Sequence, residues 1–288
     1  MVVATKQPPH RERGSDMPIE HHMGVSVNTK TKQEHLKHII NTHISICEHI
    51  INKNSWASRR YLWIDMNAGK GAWDPRPDDP QQEPINGSPL VFLNAMMKRP
   101  TPFVAFFIDN HKANCDTLRQ FTDLFGNSTS VRNGDNKHEL IEISNELRRN
   151  HYGMVYSDEN AMVPFDTLAK FSEKPQCQRV DILVHMPATT LKRVRSAYPD
   201  RHKQLQDEIL GIKKKYWIVR EPVSRHQWTF LIGTNWEAFP QFRRHGFHRL
   251  NSKDGREVFL KLNHTQQEMG FLTHDHTKTV QSVRYSQV

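Results

Sequence analysis

The 288-residue chain is poor in cysteine, with only Cys47, Cys115 and Cys177. They lie far apart and form no CxxC pair, so neither a zinc site nor a disulfide framework is signalled. Cys47 falls on an apolar helix face and Cys177 in a polar stretch; all three are expected to be unreactive, mostly buried thiols. Long apolar runs are missing too. None approaches the roughly 18–20 residues that a bilayer needs, so no membrane span is expected. The first residues hold Pro8, Pro9, His10, Arg11 and Arg13 but no apolar signal core. A cytoplasmic, reducing location follows as the expectation. There is no RGG tract and no zinc finger. Disorder throughout is excluded, because Phe, Trp and Tyr make up 9% of the chain and recur in apolar clusters.

The formal charge is +9, and it has an address. Between Thr190 and Lys261 there are 16 basic and 7 acidic residues, while the rest of the chain is balanced at 24 of each sign. A local surplus of this size favours a phosphate-rich partner.

Residues 1–28 read as a flexible polar arm, 29–264 as one folded domain and 265–288 as a loose tail. The spacing of Leu36, Ile39, Ile40, Ile44, Cys47, Ile50 and Ile51 predicts an amphipathic helix over 29–51. Strands are then expected at 61–65, 103–108, 129–132, 153–156 and 180–185, alternating with helices at 88–98, 114–125, 139–149, 165–171 and 201–212. Ser88 stands as the natural N-cap of the first of these, with Pro89 behind it. Alternation of this kind makes parallel crossovers and a doubly wound, Rossmann-like α/β sheet. Strands at 216–219 and 228–232 have no room for a crossover helix, so they close the seven-stranded sheet as an antiparallel hairpin. The stretch 247–262 adds an edge strand and a short helix.

The first motif is Asp65-Met-Asn67-Ala-Gly69-Lys-Gly71, directly after the first strand. Glycines let a backbone approach a ligand, and the carboxyl end of a parallel strand is where such folds bind one. It is not GxGxxG, because Asp74 replaces the third glycine, and it is not a Walker loop. Asp109, at the end of the second strand, can accept both hydroxyl protons of a ribose. Asp135, after the third, is placed to meet an adenine amino group. Together these ends describe an adenosyl-ligand site. Tyr156-Ser-Asp158-Glu-Asn160 ends the fourth strand, where Asp158 is a candidate proton acceptor beside an acceptor group. The compact run of a polar residue, two prolines and an aromatic that suits base-amine methylation is absent. After the fifth strand, Thr189, Thr190, Lys192 and Arg193 offer hydroxyl and basic groups to phosphate. Trp228, with Arg220, Arg225, Arg243 and Arg244 nearby in sequence, could stack on and neutralise a single strand. No metal is called for.

The run YLWIDMNAGKGAWDP, followed by GSPL and preceded by TKTKQEHL from Thr29 to Leu36, resembles the three-Cys-motif partner proteins of bacteria and their phages. Those proteins look like relatives of class I S-adenosylmethionine-dependent methyltransferases. The likeness covers 29–109 in motif and the remainder only in layout. The resemblance implies that Asp65, Gly69 and Gly71 face the methionine part of S-adenosylmethionine, Asp109 its ribose and Asp135 its adenine, with Asn67 also counted among the cofactor-binding residues. Asp158 would sit by the acceptor. Asn67 stands where the family usually has an aromatic, and the fourth strand runs into Asp-Glu-Asn rather than Asp-Pro.

These observations lead to the expectation of a methyltransferase-like protein that binds S-adenosylmethionine and acts on DNA or RNA, with room for a protein partner. Two alternatives stand beside it. One is a non-catalytic nucleic-acid-binding defence or phage regulatory factor on the same fold. The other is an enzyme that uses the adenosyl pocket for different nucleic-acid chemistry.

Overall fold

The computed structural model describes residues 29–54, 57–73, 84–148, 151–159, 163–187, 205–222, 228–237 and 242–263. The expected arm and tail lie outside them, as do Lys192, Arg193 and Arg225.

Five strands form the parallel part of the sheet: β1 (Tyr61–Asp65), β4 (Phe103–Asp109), β5 (Thr129–Asn133), β6 (Tyr152–Ser157) and β7 (Val180–Pro187). Every residue of β1 and β6 is buried, and so are all but the last of β7. That is the pattern of strands covered on both faces, and it explains why they read as continuous apolar runs. Three more strands follow: β8 (Tyr216–Arg220), β9 (Trp228–Thr234) and β10 (Phe247–Arg249). The order across the sheet is β10-β8-β9-β7-β6-β1-β4-β5. The hairpin forms as expected, but β9 folds back antiparallel between β7 and β8. β10 pairs antiparallel on β8 as the edge strand expected within 247–262, and with it the sheet has eight strands.

Period-two alternation sends neighbouring side chains to opposite faces. Tyr61, Trp63, Phe107, Met154 and Tyr156 face helices α1 (Thr29–Lys53) and α2 (Ser88–Met96). Leu62, Ile64, Ile108, Val155, Ile182 and Val184 face α4 (Asn136–Glu146), α5 (Phe165–Glu173) and α6 (Leu205–Gly211). The indole of Trp63 stacks on Phe92 of α2 at 4.9 Å and 8°. Burying a side chain of this kind stabilises by about 1.5–3 kcal/mol before ordering costs. At the amino end of the strands, His43 of α1 reaches Tyr61 Oη at 2.7 Å and Asp181 Oδ2 at 3.0 Å, all fully buried. This network pins α1 across β1 and β7, far from the strands' carboxyl ends. All three cysteines are buried, Cys177 included.

Several boundaries differ from the sequence reading. Helix α3 spans Lys112–Thr122 and tightens into a 3-10 turn, Asp123–Ser128, where Gly126 has φ +51°. The long loop after the glycine motif is tied at its base by a two-stranded ribbon, β2 (Ala72–Trp73) against β3 (Ile85–Asn86). Gly87, not Ser88, occupies the N-cap of α2; Ser88 is the first helical residue and is buried. Its hydroxyl lies by Asp65 instead. A last helix, α7, spans Lys253–Asn263.

Candidate functional site

The carboxyl ends of β1, β4, β5, β6 and β7 gather along one edge of the sheet. Between β1's neighbours β4 and β6 the chain order reverses, which in open parallel sheets opens a crevice for a ligand.

Asp65 closes β1 and is completely buried. Its Oδ1 accepts the backbone N–H of Asn67 at 3.2 Å, while Oδ2 has no hydrogen-bond partner among the described residues. Burial pushes its carboxyl up to about 7, and the Ser88 hydroxyl and the Asn67 amide only partly offset this. Asp158 and Asp109 add like charge. A buried carboxyl oxygen without a partner is a costly feature for a fold to keep.

Asn67 bridges two loops, because its Oδ1 accepts the N–H of Asp158 at 3.2 Å. Gly69 has φ +61°, a conformation that side chains resist, and its N–H donates to Asp109 Oδ2 at 3.0 Å. Gly71 has φ +91°, and a Cβ there would come within 2.9 Å of Leu118 on α3. Its bareness therefore serves helix packing. Asp109 Oδ1 accepts from the His111 N–H at 2.8 Å and from Asn114 Nδ2 at 3.1 Å. The end of β4 is thus the knot that holds the glycine loop in place.

Asp135 is exposed and serves as the N-cap of α4, accepting from the His138 N–H at 2.9 Å. Its loop is still tied to the knot, since Gly134 N–H donates to Asp109 O at 3.1 Å. Asn136 Nδ2 donates to Glu159 Oε1 at 2.5 Å, joining the loops after β5 and β6.

Asp158 is half-buried and paired twice. Lys32 Nζ lies 2.7 Å from Oδ2, and His185 Nδ1 lies 2.7 Å from Oδ1. Burial pushes its carboxyl up, but Lys32 and His185 outweigh burial and hold it far below the ordinary carboxylate range. Tyr156 lies beneath, its phenol raised well above its usual value by burial and by the Asp158 and Asp65 charges. His185 sits against Trp228 at 5.6 Å and Phe230 at 5.5 Å. Burial lowers its pKa, with Asp158 opposing.

Arg220 ends β8 on the same edge of the sheet. Its Nε donates to His245 O at 3.0 Å, and its Nη2 lies 3.3 Å from His35 Nε2. Burial and the Arg220 charge push His35 down to about 4. Arg243 and Arg244 precede β10, which starts opposite Arg220. Arg243 is exposed and lines a groove of about 360 Å³ with Phe247, His248, Arg249, Ser252 and Asp254.

The structure thus joins Asp65, Asn67, Gly69, Asp109 and Asp158 by short contacts, leaves Asp135 at the rim and turns Gly71 away into packing. Reasoning from sequence missed Lys32 and His185. Lys32 stood inside the TKTKQEHL stretch, and His185 is an ionisable residue at a strand's carboxyl end, the same signal that picked out the aspartates.

No family model matches the sequence, and no curated protein matches it. Solved structures are similar in fold. A Legionella pneumophila protein of the DUF519 family aligns with a TM-score of 0.51 at 12% identity, covering 74% of this chain and 88% of that one. M. jannaschii TYW2, solved in complex with AdoMet, gives 0.40 at 13% identity over 73% and 76%. An rRNA methylase from Streptococcus thermophilus gives 0.38 at 8% identity over 72% and 96%. At such identities the likeness is one of fold, and the chain has a Rossmann-like, mostly parallel α/β fold.

Proposed function

We propose that this chain binds S-adenosylmethionine in the crevice at the ends of β1, β4 and β5 and transfers its methyl group to nucleic acid. The observation that carries the reading is the buried, half-partnered Asp65 carboxyl beside a glycine loop anchored on Asp109. An anionic floor of this kind fits the α-ammonium of the cofactor's methionine part. Asp109 keeps one acceptor site, on Oδ2, for a ribose hydroxyl while it fixes Gly69. Asp135 reaches an adenine amino group with the oxygen its cap leaves over. When bound, S-adenosylmethionine supplies a sulfonium-activated methyl group; the chain's residues orient it and exclude water. The likeness of the β1 loop and of GSPL to three-Cys-motif partner proteins supports the same reading.

Nucleic acid as acceptor is supported by the basic surplus and by Arg220, which ends β8 on the same edge of the sheet as the crevice. The rival reading, a binding module without catalysis, has one observation on its side: both oxygens of Asp158 are already paired. Transfer of labelled methyl from S-adenosylmethionine to separate DNA and RNA fractions decides. Incorporation into either supports the enzyme. None from either, with nucleic acid still bound, supports the module.

A further inference from the structure

We propose that His185, oriented by Asp158, is the proton acceptor of this site, and that the acceptor group is a hydroxyl. The inference rests on the methyltransferase reading above.

Three positions from distant parts of the chain meet here. Lys32 comes from the first turn of α1, Asp158 follows β6, and His185 lies near the end of β7. Lys32 keeps Asp158 ionised by direct contact at 2.7 Å. An ionised carboxylate can only accept, so the imidazole nitrogen facing it, Nδ1, carries the ring proton. The lone pair then lies on Nε2, which is buried and has no partner among the described residues. Nδ1 lies 2.7 Å from Oδ1, a close ion contact that does not yet have the geometry of a hydrogen bond. Contacts of this kind commonly straighten when substrate binds. Trp228 and Phe230 hold the ring on its flanks. Burial keeps it neutral, as a base must be. A half-satisfied histidine beside a carboxylate is expensive in a purely structural role, because an orphaned buried nitrogen costs about 1–3 kcal/mol.

The chemistry selects the acceptor. A base amine loses its proton easily once methylated and needs only hydrogen-bond acceptors. A hydroxyl is a poor nucleophile until its proton is taken. In the step, the acceptor oxygen forms its bond to the methyl carbon as the carbon–sulfur bond breaks with its electron pair to sulfur. The hydroxyl proton passes to His185 Nε2, Asp158 stabilises the imidazolium, and the proton then leaves to solvent. The ribose hydroxyl of RNA is the acceptor that also suits the basic edge.

The test has two arms. In the cofactor-free protein, nitrogen-detected NMR of His185 is expected to show the neutral Nδ1–H tautomer near neutral pH. A proton on Nε2 overturns the proposal. In the second arm, wild type and His185→Ala are given labelled S-adenosylmethionine with a ribo-oligonucleotide or the matching deoxy-oligonucleotide. Expected are transfer to the ribo-oligonucleotide only, a loss of about 10²-fold or more in His185→Ala, and partial rescue by free imidazole. His185→Asn serves as a second variant should the alanine form unfold. Full activity in either variant, or methyl on a base amine, overturns the proposal. Calorimetric binding of S-adenosylmethionine, expected to be unchanged in both variants, separates the outcomes: if wild type does not bind, the methyltransferase reading itself fails.

Discussion

Replacing Asp65 by Asn is expected to stabilise the ligand-free protein, and more so as pH rises. The carboxyl is fully buried and lifted from 3.8 to about 7. Its folded-state value lies above its unfolded one. The stability it allows is therefore fully present below about pH 4 and lost as pH climbs through about 7. Above that the whole penalty applies, about 4 kcal/mol for a carboxyl moved this far. Asp65→Asn removes the ionisation and with it the pH dependence. The stability gap between variant and wild type should widen by about 2.5 kcal/mol between about pH 5 and about pH 8. Urea unfolding of both proteins at the two pH values measures it, read from the midpoint at constant slope. The same variant should bind S-adenosylmethionine more weakly, because the amide cannot meet a cationic head with charge. A gap that is equal at both pH values, or that narrows as pH rises, refutes the argument: Asp65 would then ionise as a solvated carboxylate does, and burial would not tax its charge.

Other perturbations act on different parts of the site. Lys32→Met leaves Asp158 with His185 alone and should cost about 1–3 kcal/mol at neutral pH. Because the Asp158 carboxyl is held far below its unfolded value, its contribution is present above about pH 4 and lost on acidification; the variant should show a shallower acid arm in urea titrations. Gly71→Ala forces a Cβ at φ +91° to within 2.9 Å of Leu118 and should lower stability by about 1–3 kcal/mol, seen as a reduced urea midpoint. Arg243→Ala, at an exposed position, should leave folding unchanged and reduce the salt slope of nucleic-acid binding by about 1 in filter-binding or anisotropy titrations.

The parallel core was legible because strands buried on both faces are apolar through their middles, as Tyr61–Ile64 and Ile182–Val184 are. The acidic strand ends were legible for a related reason: charge directly after such a run marks the point where the chain meets a crevice. Residue pairing was not. The insertion of β9 between β7 and β8 depends on long-range register, which no local pattern encodes. Lys32 meets Asp158 across 126 residues of chain. The Ser88 hydroxyl had a plausible local partner in its own helix, and the tertiary fold gave it Asp65 instead. The β2–β3 ribbon, with two residues in each strand, is too short to carry a period.

The central claim is that the Asp65–Gly69–Asp109 crevice binds S-adenosylmethionine, and isothermal titration calorimetry tests it most directly. The account predicts saturable binding of S-adenosylmethionine and of its demethylated product at a single site, abolished by Asp109→Ala, which removes both the ribose acceptor and the anchor of the Gly69 loop. Absence of binding by the folded wild-type protein, or equal affinity in Asp109→Ala, would contradict it.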